Sequence, residues 1–102
     1  MTDGCKIGTM SLDQNFHEYE AEHHAQGFSE VVERHWPPFT VLATHEHEFH
    51  AKALVVEGEM WLTVNAKTYW LRAGSTFELE ARVPHAERYG SSGATYWVAR
   101  RG

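Results

Sequence analysis

The sequence is short of cysteine, of basic residues and of long apolar runs, and each shortage removes a class of protein. A single cysteine, Cys5, rules out an internal disulfide, so folding must rest on noncovalent packing, as suits a reducing compartment. Nine Lys and Arg stand against fourteen Asp and Glu, for a formal net charge of −5. Binding to nucleic acid depends on cations that neutralise phosphates, so no nucleic-acid partner is expected. The one basic pair, Arg100-Arg101, reads as a solvated end. No apolar run is longer than that of Ala53–Val56, far below the roughly 20 residues of a membrane span. Residues 1–10 lack an apolar signal core, so the expectation is a cytoplasmic protein with no membrane partner. Also missing are a glycine-rich phosphate loop and any Ser-His-Asp or Cys-His pairing above chance spacing.

A length of 102 residues allows one core and one domain. Aromatics reach 13%, and they favour strands and pocket walls. Eight histidines are many for this length, and neutral imidazole is the commonest metal ligand. Residues 1–26 read as an N-terminal extension, in which His17–Gln26 forms a short helix or a loose tail. The adjacent His23 and His24 point in different directions on either a helix or a strand, and are expected at the surface.

From Gly27 the pattern becomes all-β. Strands are predicted at Ser29–Arg34, Thr40–His47, Ala51–Glu57, Glu59–Val64, Lys67–Arg72, Ser75–Leu79, His85–Tyr89 and Thr95–Arg100. Breaks fall at Pro37-Pro38, Gly58, Asn65-Ala66, Ala73-Gly74, Val83-Pro84 and Gly90–Gly93. Eight short strands imply a closed barrel or jelly roll over residues 27–102.

His45 and His47 lie two residues apart near a strand end, so both imidazoles face one side. His85 opens a later strand, directly after Pro84. If these faces look into the barrel, the three rings can share one ion. Alternation places Val41, Ala43, Ala51, Ala53 and Val55 on that face, and Glu46, Glu48, Lys52 and Arg88 outside. Phe49, Trp61, Tyr69, Phe77, Tyr96 and Trp97 are candidates for pocket wall or for ordinary packing. Trp36, before Pro37-Pro38, suits a barrel end or an interface.

These residues resemble the cupin family. Its first motif, G-x5-H-x-H-x3-E-x6-G, reads here as Phe39, His45, His47, Ala51 and Gly58. Its second, G-x5-P-x-G-x2-H-x3-N, reads as Gly74, Glu80, Arg82, His85 and Tyr89. All three histidines and two glycines keep their places, and the spacer Glu59–Ala73 is near the family's shortest. The stretches Leu54–Glu59 and Leu71–Ser75 are also cupin-like. The resemblance implies a double-stranded β-helix, or jelly-roll barrel, with one divalent metal ion on His45, His47 and His85. Iron, zinc, nickel, manganese and copper all suit imidazole, and the identity of the ion stays open.

The family's glutamate ligand falls on Ala51, which leaves the rest of the coordination sphere open. Three readings compete: water or substrate completes it, His50 swings in, or Glu87 supplies a carboxylate. Glu87 lies two residues after His85, hence on the same face, and is the acid/base candidate. A metal-free barrel whose histidines bind a ligand directly is the bland alternative. The implied function is a metal-dependent dioxygenase, isomerase or lyase acting on a small organic molecule. The competing function is a non-catalytic module that binds or senses one. Family resemblance also implies a homodimer.

Overall fold

The computed structural model describes residues 4–102. Seven strands and one helix follow in the order β1 (Cys5–Thr9), α1 (Phe16–Ala25), β2 (Glu30–Trp36), β3 (Val41–His45), β4 (His50–Val64), β5 (Lys67–Arg72), β6 (Ser75–Leu79) and β7 (His85–Arg101). All pairings are antiparallel.

Two long strands organise the jelly roll. The first half of β4 pairs with β6 and with the second half of β7. Its second half pairs with β5 and with the first half of β7. β2 joins β7 at one end, β3 joins it at the other, and β1 extends the sheet beyond β6. β4 and β7 thus pass from one side of the roll to the other. The predicted pairs Ala51–Glu57 with Glu59–Val64, and His85–Tyr89 with Thr95–Arg100, are each one continuous strand. The reason is that Gly58 and Gly90–Gly93 act as bends and bulges inside strands, where the register shifts, and not as turns between them. Gly58 has φ +78, and a Cβ there would collide with the Gly93 carbonyl oxygen, so two backbones cross at the bend.

The helix is the outcome chosen for the His17–Gln26 stretch. Asn15 accepts a bond from the Glu18 N–H, and the Glu18 carboxylate returns one to the Asn15 N–H, closing a capping box. Phe16, Tyr19 and His23 share the face turned to the sheet.

Apolar side chains divide between two compartments according to the period-2 rule. Inside the roll lie Ala51, Ala53, Val55, Met60, Leu62, Val64, Leu71, Phe77, Leu79, Tyr89, Ala94, Tyr96 and Val98. Between α1 and the outer face of the sheet lie Tyr19, Phe28, Val31, Leu54, Trp97 and Ala99. His23 belongs to this second layer. It is 1% exposed, stacked on Tyr19, with Nδ1 at 2.8 Å from the Tyr19 carbonyl oxygen. The expectation of a surface His23 therefore fails, while His24 is exposed as expected. On the helix the two adjacent side chains point in different directions, so the His23 ring packs on the sheet while His24 stays exposed.

Two family glycine positions keep the left-handed backbone without glycine: Phe39 has φ 61 and Arg82 has φ 66. Among the described residues, no helix is long and apolar enough to cross a membrane.

Candidate metal centre

Three elements deliver the histidines to one end of the roll. His45 closes β3, directly opposite His85 at the start of β7. His47 follows in the connection to β4. The ring centroids of His45 and His85 are 4.4 Å apart, those of His45 and His47 4.9 Å, and those of His47 and His85 5.2 Å. One nitrogen from each ring lies within 4.8 Å of the others, so the three can hold a metal ion. Among the described residues they are the one such group of three or more. The inward face read from alternation holds for Ala51, Ala53 and Val55, which pack inside the roll, while Ala43 lies exposed at the cavity rim. Val41 departs from it, 70% exposed, because β3 is a rim strand whose register with β7 shifts between Leu42 and His45.

The protonation pattern can be argued from the neighbours. His45 Nδ1 is 2.7 Å from the Ala43 carbonyl oxygen, and His85 Nδ1 is 2.9 Å from that of Val83. A carbonyl can only accept, so both Nδ1 atoms carry the proton in the neutral rings. Each Nε2 is then left with a lone pair. Backbone carbonyls of this kind are the usual second contact of a metal-bound imidazole, fixing its tautomer and orientation. His47 is held differently, its ring stacked on Phe49 at 4.7 Å and 13°. Burial pushes the His47 imidazole below its ordinary pKa, and positive charge at His85, His45, Arg100 and Arg34 adds to the effect. A neutral ring is the form that ligates.

Glu87 faces inward, as the strand period requires, and is 6% exposed. Its Oε2 stands 3.4 Å from His45 Nε2 and 3.6 Å from His85 Nε2. Its Oε1 accepts a 2.5 Å hydrogen bond from the Tyr89 hydroxyl. Burial pushes the Tyr89 phenol far above its usual pKa, with the hydroxyl of Tyr96 and the Glu87 charge adding to it, so Tyr89 remains a donor. Trp36 Nε1 donates to the Tyr96 hydroxyl at 3.3 Å, and the Trp36 ring stacks on Tyr89.

His50, the other candidate for the ion, points the opposite way. Its Nε2 meets the Glu78 carboxylate at 2.5 Å on the outer face, because it precedes the inward Ala51 by one residue. Glu46 and Glu48 do not join the cluster, and Glu48 meets Arg82 at 3.4 Å in solvent. Lys52 and Arg88 lie outside, Arg88 over the Trp61 ring at 4.2 Å and Lys52 directed to Gln26.

A cavity of about 380 Å³ opens at the histidines, walled by Trp36, Leu42, Ala43 and Tyr96 with Arg34 and Arg100. Of the aromatic candidates, Tyr96 lines it and Phe49 backs His47, whereas Phe77 packs the core and Trp97 belongs to the layer under α1. Arg100 is not a solvated end. It sits half-buried over the Phe49 ring, and only Arg101 is exposed. Sequence reading also passed over Tyr89 and Arg34. Tyr89 shares its strand face with His85 and Glu87, so the alternation that marks Glu87 was signal enough to find it. Arg34 carries no such marker, since its role depends on β2 lying beside β7.

The donor set fits a divalent cation. In the neutral rings, the Nε2 lone pairs of His45 and His85 lie 3.4 and 3.6 Å from Glu87 Oε2. Acceptors brought together in a partly buried place repel unless a cation or a proton lies between them.

Comparison with known proteins agrees with this architecture. A family model described as a cupin domain matches residues 32–99. A solved structure of DMSP lyases RdDddP and RnDddQII aligns over 71% of this chain with 29% identity and a TM-score of 0.65. The chain spans 37% of the length of that lyase chain. An RmlC-like cupin from Shewanella frigidimarina NCIMB 400 aligns over all of this chain and 80% of its own, with 19% identity and a TM-score of 0.64. Salicylate 1,2-dioxygenase from Pseudoaminobacter salicylatoxidans, in adducts with gentisate, aligns over 68% of this chain and 19% of its own, with 19% identity and a TM-score of 0.60. Among curated proteins, none matches this sequence.

Proposed function

This chain belongs to the cupin family, and from that premise we propose that it is a metal-dependent enzyme of the dioxygenase, isomerase or lyase type acting on a small organic molecule. The observation that carries the reading is the meeting of His45 Nε2, His85 Nε2 and Glu87 Oε2, all lone-pair bearers, with His47 beside them. His45, His47 and His85 would hold the ion through nitrogen. Glu87 would give it a carboxylate, taking over from β7 the part that Ala51 in β4 has lost. A bound divalent ion supplies Lewis acidity toward a substrate oxygen and, if iron, redox chemistry.

The chain's own residues do the rest. The Ala43 and Val83 carbonyls hold two imidazoles in the ligating tautomer. Tyr89 orients the Glu87 carboxyl group through a short hydrogen bond and keeps its own proton. Trp36, Leu42 and Tyr96 offer an apolar wall that excludes water from a bound substrate. The likeness to a lyase and to a dioxygenase supports the class of chemistry, and DMSP and gentisate are the first compounds to try.

Metal content of anaerobically prepared protein tests the reading. One ion per chain is expected, lost when His45, His47 and His85 are all changed to Ala. Metal retained by that variant rejects the assignment. Product release from DMSP, or oxygen uptake with gentisate, identifies an enzyme. Tight binding of such a compound without turnover identifies a sensing module instead.

A further inference from the structure

Charge at the mouth of the roll runs against the charge of the chain. The protein as a whole is acidic, yet the cavity beside the histidines is lined by two guanidinium groups, Arg34 and Arg100, and by one carboxylate, Glu87. The carboxylate is already engaged by Tyr89 and faces His45 and His85.

Both arginines are placed there by the β2–β7 ladder. Arg34 pairs with Tyr96 and Glu30 pairs with Arg100. Arg34 therefore shares the inward face with Val32 and Trp36, and Arg100 shares it with Tyr96 and Val98. The Arg100 guanidinium lies 4.9 Å from the Phe49 ring, whose other neighbour is the His47 imidazole. Its Nη1 is spent on Glu30 at 2.8 Å, but its Nε is buried with no hydrogen-bond partner. A buried N–H of a charged group left unbonded is costly, and marks a place where an acceptor belongs. Arg34 rests over the Trp36 ring at 5.0 Å and, among the described residues, forms no ion pair with a carboxylate. Two cations on one wall of a cavity, one with an orphaned donor, suit an incoming anion. The flat fork of a guanidinium matches the flat carboxylate group.

We propose that the substrate is a small organic acid whose carboxylate docks on Arg100, with Arg34 drawing it in at the rim. The proposal rests on the preceding reading in taking the histidine centre as the place where the rest of that acid is held. Arginine here acts by binding and orientation, not by proton transfer, because a guanidinium does not give up its proton in a protein.

Benzoate and its neutral counterpart benzamide are suitable probes, since they share a flat apolar ring and differ in charge. The Nε–H resonance of Arg100 is followed by NMR, first in metal-free protein and then with Co²⁺ added. Benzoate is expected to shift this resonance to saturation and benzamide to leave it in place. Arg100→Gln should weaken benzoate binding, read from backbone resonances, by roughly 10- to 100-fold, the range for losing a charge-assisted hydrogen bond. Arg34→Gln should weaken it less and flatten its dependence on salt. Arg100→Lys, which keeps the charge and loses the fork, should fall between wild type and Arg100→Gln. Equal binding of benzoate and benzamide by wild-type protein overturns the proposal, and so does undiminished benzoate binding by a folded Arg100→Gln variant. Failure of the wild type to take up Co²⁺ would count against the metal centre alone, because the benzoate comparison in metal-free protein still decides the role of the arginines.

Discussion

The two buried compartments use the same residue types to opposite ends. Under α1, His23 and Tyr19 are sealed among Phe28, Leu54 and Trp97. There His23 Nδ1 meets a carbonyl and its ring stacks on Tyr19, while the Tyr19 hydroxyl donates to the Lys52 carbonyl at 2.9 Å. In the roll, His85 is nearly as buried and its Nδ1 also meets a carbonyl. Its Nε2, however, lies 3.6 Å from the Glu87 carboxylate, with the His45 ring beside it. Burial and one satisfied nitrogen do not separate a structural histidine from a ligating one. What separates them is where the second nitrogen looks, and whether the groups it meets can donate.

That contrast can be broken most decisively by exchanging the two histidines' losses. His85→Ala should lower metal affinity by more than the roughly 10- to 100-fold that loss of a supporting partner costs, measured by competition with a coloured chelator. His23→Ala should leave metal stoichiometry unchanged and destabilise the protein by about 2–4 kcal/mol in urea, as expected when a large buried side chain is truncated. If His23→Ala also strips the metal, the two compartments are not independent.

A smaller effect is expected one layer out from the ion. Tyr89→Phe removes the hydrogen bond to Glu87 and should cost about 10- to 100-fold in metal affinity while the roll stays folded. Unaltered affinity would mean that Tyr89 only packs against Trp36.

The outer layer should respond to alkali. Burial raises the Tyr19 phenol above its ordinary value of 10.0, and the Glu22 charge raises it further. In the unfolded chain this group ionises above about pH 10, whereas the folded chain keeps it neutral. Its contribution is thus intact below pH 10 and lost as pH rises beyond it, at about 1.4 kcal/mol per pH unit for one proton. Urea midpoints between pH 9 and 11 should fall less steeply in Tyr19→Phe than in wild type. Equal slopes would show that the buried phenol does not govern the alkaline limit.

The smallest effect concerns neither compartment. Arg82, at φ 66, carries strain in a turn where a glycine would carry none. Arg82→Gly should raise thermal stability by about 1 kcal/mol, since its exposed contact with Glu48 contributes little. A loss of stability would mean that the Glu48 pair matters more than the backbone.

Much of the site could be read from spacing because strands impose a period of two. His45 and His47, and then His85 and Glu87, fall on shared faces without any knowledge of the neighbours. The same rule failed at Val41, on a rim strand with a shifted register. It turns His50 outward, one residue before the inward Ala51, but is silent on the Glu78 carboxylate that meets it there. Arg100 looked like a charged tail because two adjacent arginines near the end of a chain carry no sign of which one lies on an inward face.

What the chain determined by itself was therefore local: where strands form, which residues share a face, and which three histidines stand at family spacing. Those follow from backbone geometry and from turn-forming residues, which act over a few positions. Only the folded arrangement decided that Gly58 bends one strand instead of ending it, that His23 is sealed under α1, and that Arg34 and Arg100 reach the cavity of His47 and Glu87. Each of these depends on which strand or helix lies alongside, and contacts between distant segments exist only once the sheet has rolled up.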